Sequence, residues 1–153
     1  MLDCERKWAQ GMNAKKKMTD IGKDIKLLKY NIKRKFKKSV LMSKNLFEIC
    51  KLTCDTQTLL EAEAYLYSME ANYYIFTRKF EQALDLLKKS WKILENVARV
   101  KDTIESISYK EKINQLKTNI RLCQYNLNVY FYNCSKMLYL MRTLILILST
   151  ILN

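Results

Sequence analysis

Five lysines pose the first chemical question. Lys26, Lys29, Lys33, Lys37 and Lys44 follow one another at spacings of three, four, four and seven residues. On a helix turning about 100° per residue, these spacings align them in one stripe. Lys23, Arg34 and Lys38 widen the stripe, and no Asp or Glu occurs between Lys26 and Asn45. Like charges one turn apart repel, so the stripe calls for an external polyanion, and regularly spaced phosphates supply one. Other readings of the same residues are a solvated lysine face, a basic amphipathic helix on an anionic membrane, and a calmodulin-type target. Against the last two, Ile21, Ile25, Leu28, Ile32, Phe36, Leu46 and Cys50 form an apolar face that neighbouring helices need. Tyr30 and Phe36 lie near the stripe, where a ring could stack on a base or belong to the core or its rim.

Thiol and metal chemistry find less support. The cysteines are Cys4, Cys50, Cys54, Cys123 and Cys134, and there is no His. Cys50 and Cys54, one helical turn apart, could share a metal, but the other cysteines are far away and free thiols are the simpler reading. Neither thiol has an obvious base, and the chain has no Gly-rich phosphate loop or Gly-x-Ser-x-Gly elbow. Glu61 and Glu63 read as helix-start charges. No catalytic residue, metal site or cofactor is expected. The odd cysteine count, with charged residues Asp3, Glu5, Arg6 and Lys7 at the start in place of a leader, suggests a reducing, cytoplasmic setting.

These side chains need a scaffold, and the composition indicates which kind. The 153 residues are 49% hydrophobic and include no Pro and two Gly, which favours long helices over sheets and tight turns. The net charge of +13 is uneven: residues 1–54 carry 15 Lys/Arg against 5 Asp/Glu, and residues 55–126 carry 11 against 10. Periodicity and caps predict about five helices. The first runs from about Asp3 to Met18, with Trp8, Ala9 and Met12 on one side, and Thr19-Asp20 can break or recap it. The second runs from about Asp20 to Leu52. A capping box of Thr58 and Glu61 opens the third, which reaches Phe76, and Thr77-Arg78-Lys79 is a tight turn. The fourth covers about Phe80 to Val97. A second box, Asp102 and Glu105, opens a fifth that reaches at least Asn126.

Residues 64–94 fit a tetratricopeptide-like unit. Tyr67, Ala71 and Tyr74 fall on its first helix, and Phe80, Ala83, Leu87 and Ser90 on its second, with Ala71 and Ala83 small enough for a close crossing. One unit cannot bury its own face, so flanking helices must stack on it. An ordinary helical hairpin would carry the same pattern. The expected fold is therefore an all-α, tetratricopeptide-like antiparallel array. Its division is a helical domain over residues 1–133 and an apolar tail over 134–153. In the tail, Met137 to Leu152 is mostly apolar but contains Arg142, and its uninterrupted part falls short of the roughly 20 residues a membrane span needs.

Four stretches give the chain a family resemblance: DCERKWAQGM at Asp3–Met12, the basic helix at Lys26–Leu46, the hairpin LEAEAYLYSMEANYYIFTRKFEQALDLLKKSWKIL at Leu60–Leu94, and NIRLCQYN at Asn119–Asn126. In this order and spacing they resemble the 68-kilodalton subunit family of the eukaryotic signal recognition particle, over residues 3–126. The resemblance implies a non-catalytic domain that binds and shapes the particle RNA at its branched junction during co-translational targeting to the endoplasmic reticulum. It implies a cytoplasmic location, with a nucleolar stage during assembly. It also implies a 72-kilodalton partner subunit joined through a region downstream of the match, and indirect links to the ribosome and the endoplasmic reticulum membrane. The family's arginine-rich helix lies upstream of the matched part, so the chain is expected to begin after it. The candidate RNA contacts are Arg6, Lys7, Lys23, Lys26, Lys29, Lys33, Arg34, Lys37, Lys38, Lys44 and Arg121. Two alternatives remain beside RNA binding: a repeat-type protein-interaction module, and a peripheral membrane protein using the basic helix and the apolar tail.

Overall fold

The computed structural model describes the backbone of residues 2–21, 26–100 and 103–151, and side chains within 3–18, 26–100, 106–129 and 131–132. Five helices follow one another: α1 (Leu2–Ile21), α2 (Lys26–Thr53), α3 (Thr56–Phe76), α4 (Phe80–Val100) and α5 (Thr103–Ile151), with no strand among the described residues. Each helix packs on the next in chain order. Residues of α1, α3 and α5 together line one groove, formed by Trp8, Tyr65, Asn72, Tyr109, Lys112 and Asn119 among others. Among the described residues α4 adds Leu94 alone to that lining and α2 adds none, so these two helices form the outer layer, which is the alternation of a tetratricopeptide-like array.

The helix boundaries correct two expectations. First, α1 runs through Thr19-Asp20 to Ile21. A residue suited to cap a helix start carries nothing that ends the helix before it. Ile21 therefore belongs to α1 rather than to the apolar face of α2, and Ile25 lies outside the described residues. Second, α3 starts at Thr56, with Asp55 as its cap: the Asp55 carboxylate accepts from the backbone N–H of Gln57 at 3.1 Å and Thr58 at 3.3 Å. Thr58 sits inside the first turn and donates its hydroxyl to Asp55 at 2.6 Å. Glu61 instead accepts from Gln57 Nε2 at 3.2 Å and from the Tyr109 hydroxyl at 2.6 Å. A carboxylate is a stronger acceptor for orphan helix N–H groups than a hydroxyl. Trp8 and Met12 of α1 share a side, both lining the groove with α3 and α5, whereas Cys4 and Gly11 are buried. Small residues face α2 here because the two helices approach closely. The second predicted box falls on Asp102, outside the described residues.

The α3–α4 turn lies where it was read. Arg78 N–H donates to Ile75 O at 3.1 Å and Lys79 N–H to Tyr74 O at 2.9 Å, with Arg78 at φ 60°. This is the double hydrogen bond of a Schellman motif, with arginine where glycine is usual. Beyond it the hairpin closes on small residues. Ala71 and Ala83 are both 0% exposed and share one core with Ala64, Leu87, Leu94, Ile113 and Cys123. Ser90 donates to the Ala64 carbonyl at 2.8 Å and lies 3.0 Å from the Ser68 hydroxyl. These two serines are satisfied without widening the crossing, which keeps a buried polar pair from costing stability. Full burial of Leu87 alone stabilises by roughly 1.5–3 kcal/mol.

Candidate nucleic-acid interface

The rotation of α2 about its own axis determines what the interface presents. Its inward face is Ile32, Phe36, Ser39, Ser43 and Cys50, all buried. Two contacts hold this face against α1. The Cys4 thiol lies 3.2 Å from the Ser39 carbonyl oxygen, and the Gly11 Cα faces the Phe36 ring, where an added methyl would stand 3.0 Å from Cε1. On the α3 side, Phe36 meets Phe76 with ring centroids 5.4 Å apart. With that face covered, Lys26, Lys29, Lys33, Arg34, Lys37, Lys38 and Lys44 are all exposed. Among the described residues of α2, the acid nearest the stripe in sequence is Glu48, which pairs with Lys51 at 2.8 Å.

The candidate residues divide into groups. Lys7 of α1 joins Arg34, Lys35 and Lys38 of α2 around an open recess of about 340 Å³. The recess is lined mainly by the carbon stems of these side chains, and flexible stems of this kind let charged ends turn toward a phosphate group. Lys35 was not among the candidates read from the sequence. On the helix wheel it points away from the lysine stripe, toward α1, where it donates to Gln10 Oε1 at 2.9 Å. No signal within α2 alone marks it, because its role depends on where Lys7 lies. Lys44, by contrast, is engaged: its ammonium is 2.7 Å from the Glu70 carboxylate of α3. That hydrogen bond outweighs the effect of burial and raises the Lys44 pKa above its ordinary value.

The remaining candidates stand apart. Arg6 is exposed and pairs with Asp3 at 3.2 Å within α1. Arg121 is exposed on α5, which packs on α4, while α2 packs on α1 and α3, so Arg121 is not part of the α2 face. Lys23 lies outside the described residues. The cysteines also separate: Cys50 is buried, Cys54 is exposed and Cys123 is 0% exposed. Burial pushes the Cys123 thiol above its ordinary pKa, and burial followed by the neighbouring Cys54 does the same at Cys50. Among the described residues, no group of three or more potential ligands is gathered for a metal.

The groove on the opposite layer has a different character. Tyr65 donates to Glu5 at 2.6 Å and to the Cys4 sulfur at 3.2 Å, which ties α3 to α1. Burial, then these two partners, raises the Tyr65 pKa, so the hydroxyl stays protonated and donating. Trp8 Nε1 is buried and has no hydrogen-bond partner among the described residues. Among the described residues, no helix is long and apolar enough to cross a membrane.

Comparison with known proteins converges on one family. Residues 1–131 match the family described as RNA-binding signal recognition particle 68. The signal recognition particle subunit SRP68 of Dictyostelium discoideum is 30% identical over 127 residues, which is 83% of this chain and 20% of that protein. The subunit of the same name from Drosophila melanogaster is 25% identical over 129 residues, 84% of this chain and 21% of that protein. The chain thus spans about a fifth of the length of these curated relatives.

Proposed function

The chain belongs to the RNA-binding signal recognition particle 68 family, and on that premise we propose that it is a non-catalytic subunit domain that binds and shapes the particle RNA near its branched junction. The observation that carries this reading is the outward face of α2. There Lys26, Lys29, Lys33, Arg34, Lys37 and Lys38 are exposed on a stretch without acids, and Lys7 extends them from α1. A rigid, folded cationic face neutralises phosphates with little reordering on binding. A branched junction concentrates phosphates and offers a wider groove than a plain A-form duplex. In this proposal the domain of residues 1–133 acts in co-translational targeting to the endoplasmic reticulum, in the cytoplasm with a nucleolar assembly stage. Beside it works a 72-kilodalton subunit, which attaches downstream of the matched stretch.

A salt titration against three ligands tests the proposal: a three-way-junction RNA, an RNA duplex of equal length and anionic vesicles. Junction RNA is expected to bind tightest, with a log–log salt slope of about −0.7 to −0.9 per contacted phosphate. Changing Lys33, Arg34 and Lys37 together to Gln should flatten that slope by about two to three units. Vesicle binding tighter than RNA binding would overturn the proposal in favour of a membrane role, and an unchanged slope would remove α2 from the interface.

A further inference from the structure

Tyr30 stands at the centre of the α2 outward face, 64% exposed, with Lys26 and Leu27 one turn before it and Lys33 and Arg34 one turn after. Residues three and four apart on a helix are surface neighbours, so this ring is framed by cations along the helix. Before α5 it is the one exposed aromatic residue among the described residues. The other aromatic near the lysines, Phe36, is buried against Phe76 and closed to any ligand. No hydrogen bond, ring pair or cation–ring pair engages Tyr30 among the described residues, although four lysines elsewhere cap rings. A lone exposed ring on a surface needs no explanation. A ring held between phosphate-binding cations combines the two parts from which unpaired nucleic acid is held: charge for the backbone and a flat face for the base.

We propose that Tyr30 is a stacking platform for an unpaired RNA base, so that the α2 face selects RNA with a splayed-out nucleotide beside its helical phosphates. The inference rests on the RNA-binding reading and names the feature of the RNA that this surface distinguishes. A fully paired duplex hides its base faces inside the stack and offers Tyr30 nothing beyond its sugar–phosphate rim. At a junction, bulge or loop a base can leave the stack. With Lys33 and Arg34 on its phosphates, that base comes within one helical turn of the ring. Leu27, also exposed, extends the apolar shelf on one side of Tyr30.

Two substitutions and two RNAs test the inference with the full chain. The RNAs are a three-way junction carrying 2-aminopurine at an unpaired position and a continuous duplex of the same length. Tyr30→Ala should weaken junction binding by about 5- to 150-fold, leave duplex binding and the salt slope unchanged, and abolish quenching of the 2-aminopurine. Tyr30→Phe should retain both affinity and quenching, because stacking uses the ring and not the hydroxyl. Equal junction affinity for wild type and Tyr30→Ala would overturn the stacking role while leaving the RNA-binding reading intact. Equal losses in Tyr30→Phe and Tyr30→Ala would overturn it in favour of a hydroxyl contact. A wild type that binds neither RNA would overturn both readings together. The exposure of Tyr30 means that neither substitution removes core packing, which circular dichroism of each variant checks.

Discussion

The Lys44 ammonium lies 2.7 Å from the Glu70 carboxylate, joining the C-terminal half of α2 to α3. Lys44 continues the spacing of Lys26, Lys33 and Lys37, but this pair takes it out of the set of cations that phosphates can recruit without competition. The Lys44 side chain remains 52% exposed, so the pair contributes little to stability. Its main consequence is for the distribution of charge.

The salt dependence of RNA binding should therefore differ along the stripe. Lys37→Gln should reduce the log–log slope by about 0.7–0.9, whereas Lys44→Gln should leave it nearly unchanged. Glu70→Gln should release Lys44 and steepen the slope. Titrations of the three variants against junction RNA check this, and equal effects of Lys37→Gln and Lys44→Gln would show that the pair opens on binding.

At the α1–α2 crossing, Gly11→Ala should destabilise the fold although alanine is the better helix former by about 1 kcal/mol. The new methyl would stand 3.0 Å from Phe36 Cε1 and 3.2 Å from Cδ1. The ring cannot retreat freely, since Phe76 packs behind it. Overpacking of this kind costs about 1–3 kcal/mol, so the net loss should be up to about 2 kcal/mol in urea denaturation. Asn13→Ala, at an exposed position of the same helix, is the control that should show no loss.

The repeat-like hairpin makes a parallel prediction. Ala83→Leu adds bulk where Ala71 and Ala83 are both fully buried, and should cost about 1–3 kcal/mol. An unchanged melting temperature would mean that the α3–α4 crossing has more room than this close packing implies.

Asp55 gives a pH signature. Hydrogen bonds from the Thr58 hydroxyl and backbone, then from the Gln57 N–H, hold its carboxyl below the ordinary carboxylate range. A depressed folded-state pKa contributes stability that is fully present above the unfolded value and is lost as pH falls through the folded value. Asp55→Ala should accordingly lower the melting temperature at neutral pH. The gap to wild type should shrink as pH falls below the ordinary carboxylate range, since the protonated cap then loses its charged acceptors. Thermal melts of both proteins across the acidic range check this.

Much of the architecture is legible from local features. The near absence of Gly and Pro, the apolar periodicity and the turn at Thr77-Arg78-Lys79 together imply the helical array. The small residues Ala71, Ala83 and Ser90 mark the hairpin crossing, because close approach needs small side chains wherever it occurs. Boundaries were less legible. Asp55 and Thr58 both suit a helix start, and only the competition between a carboxylate and a hydroxyl for the same N–H groups decides between them.

The candidate interface divides in the same way. The sequence by itself determined that Lys26, Lys33, Arg34 and Lys37 share a face with Tyr30, since angles between residues of one helix depend only on their spacing. Tertiary structure decided which way that face points and which cations accompany it. Covering Ile32 and Phe36 with α1 and α3 turned Tyr30 outward and closed off Phe36, packing α1 beside α2 brought Lys7 to Arg34, Lys35 and Lys38, and α3 drew Lys44 to Glu70. A helix wheel has no preferred rotation of its own, and burial against neighbours distant in sequence supplies one.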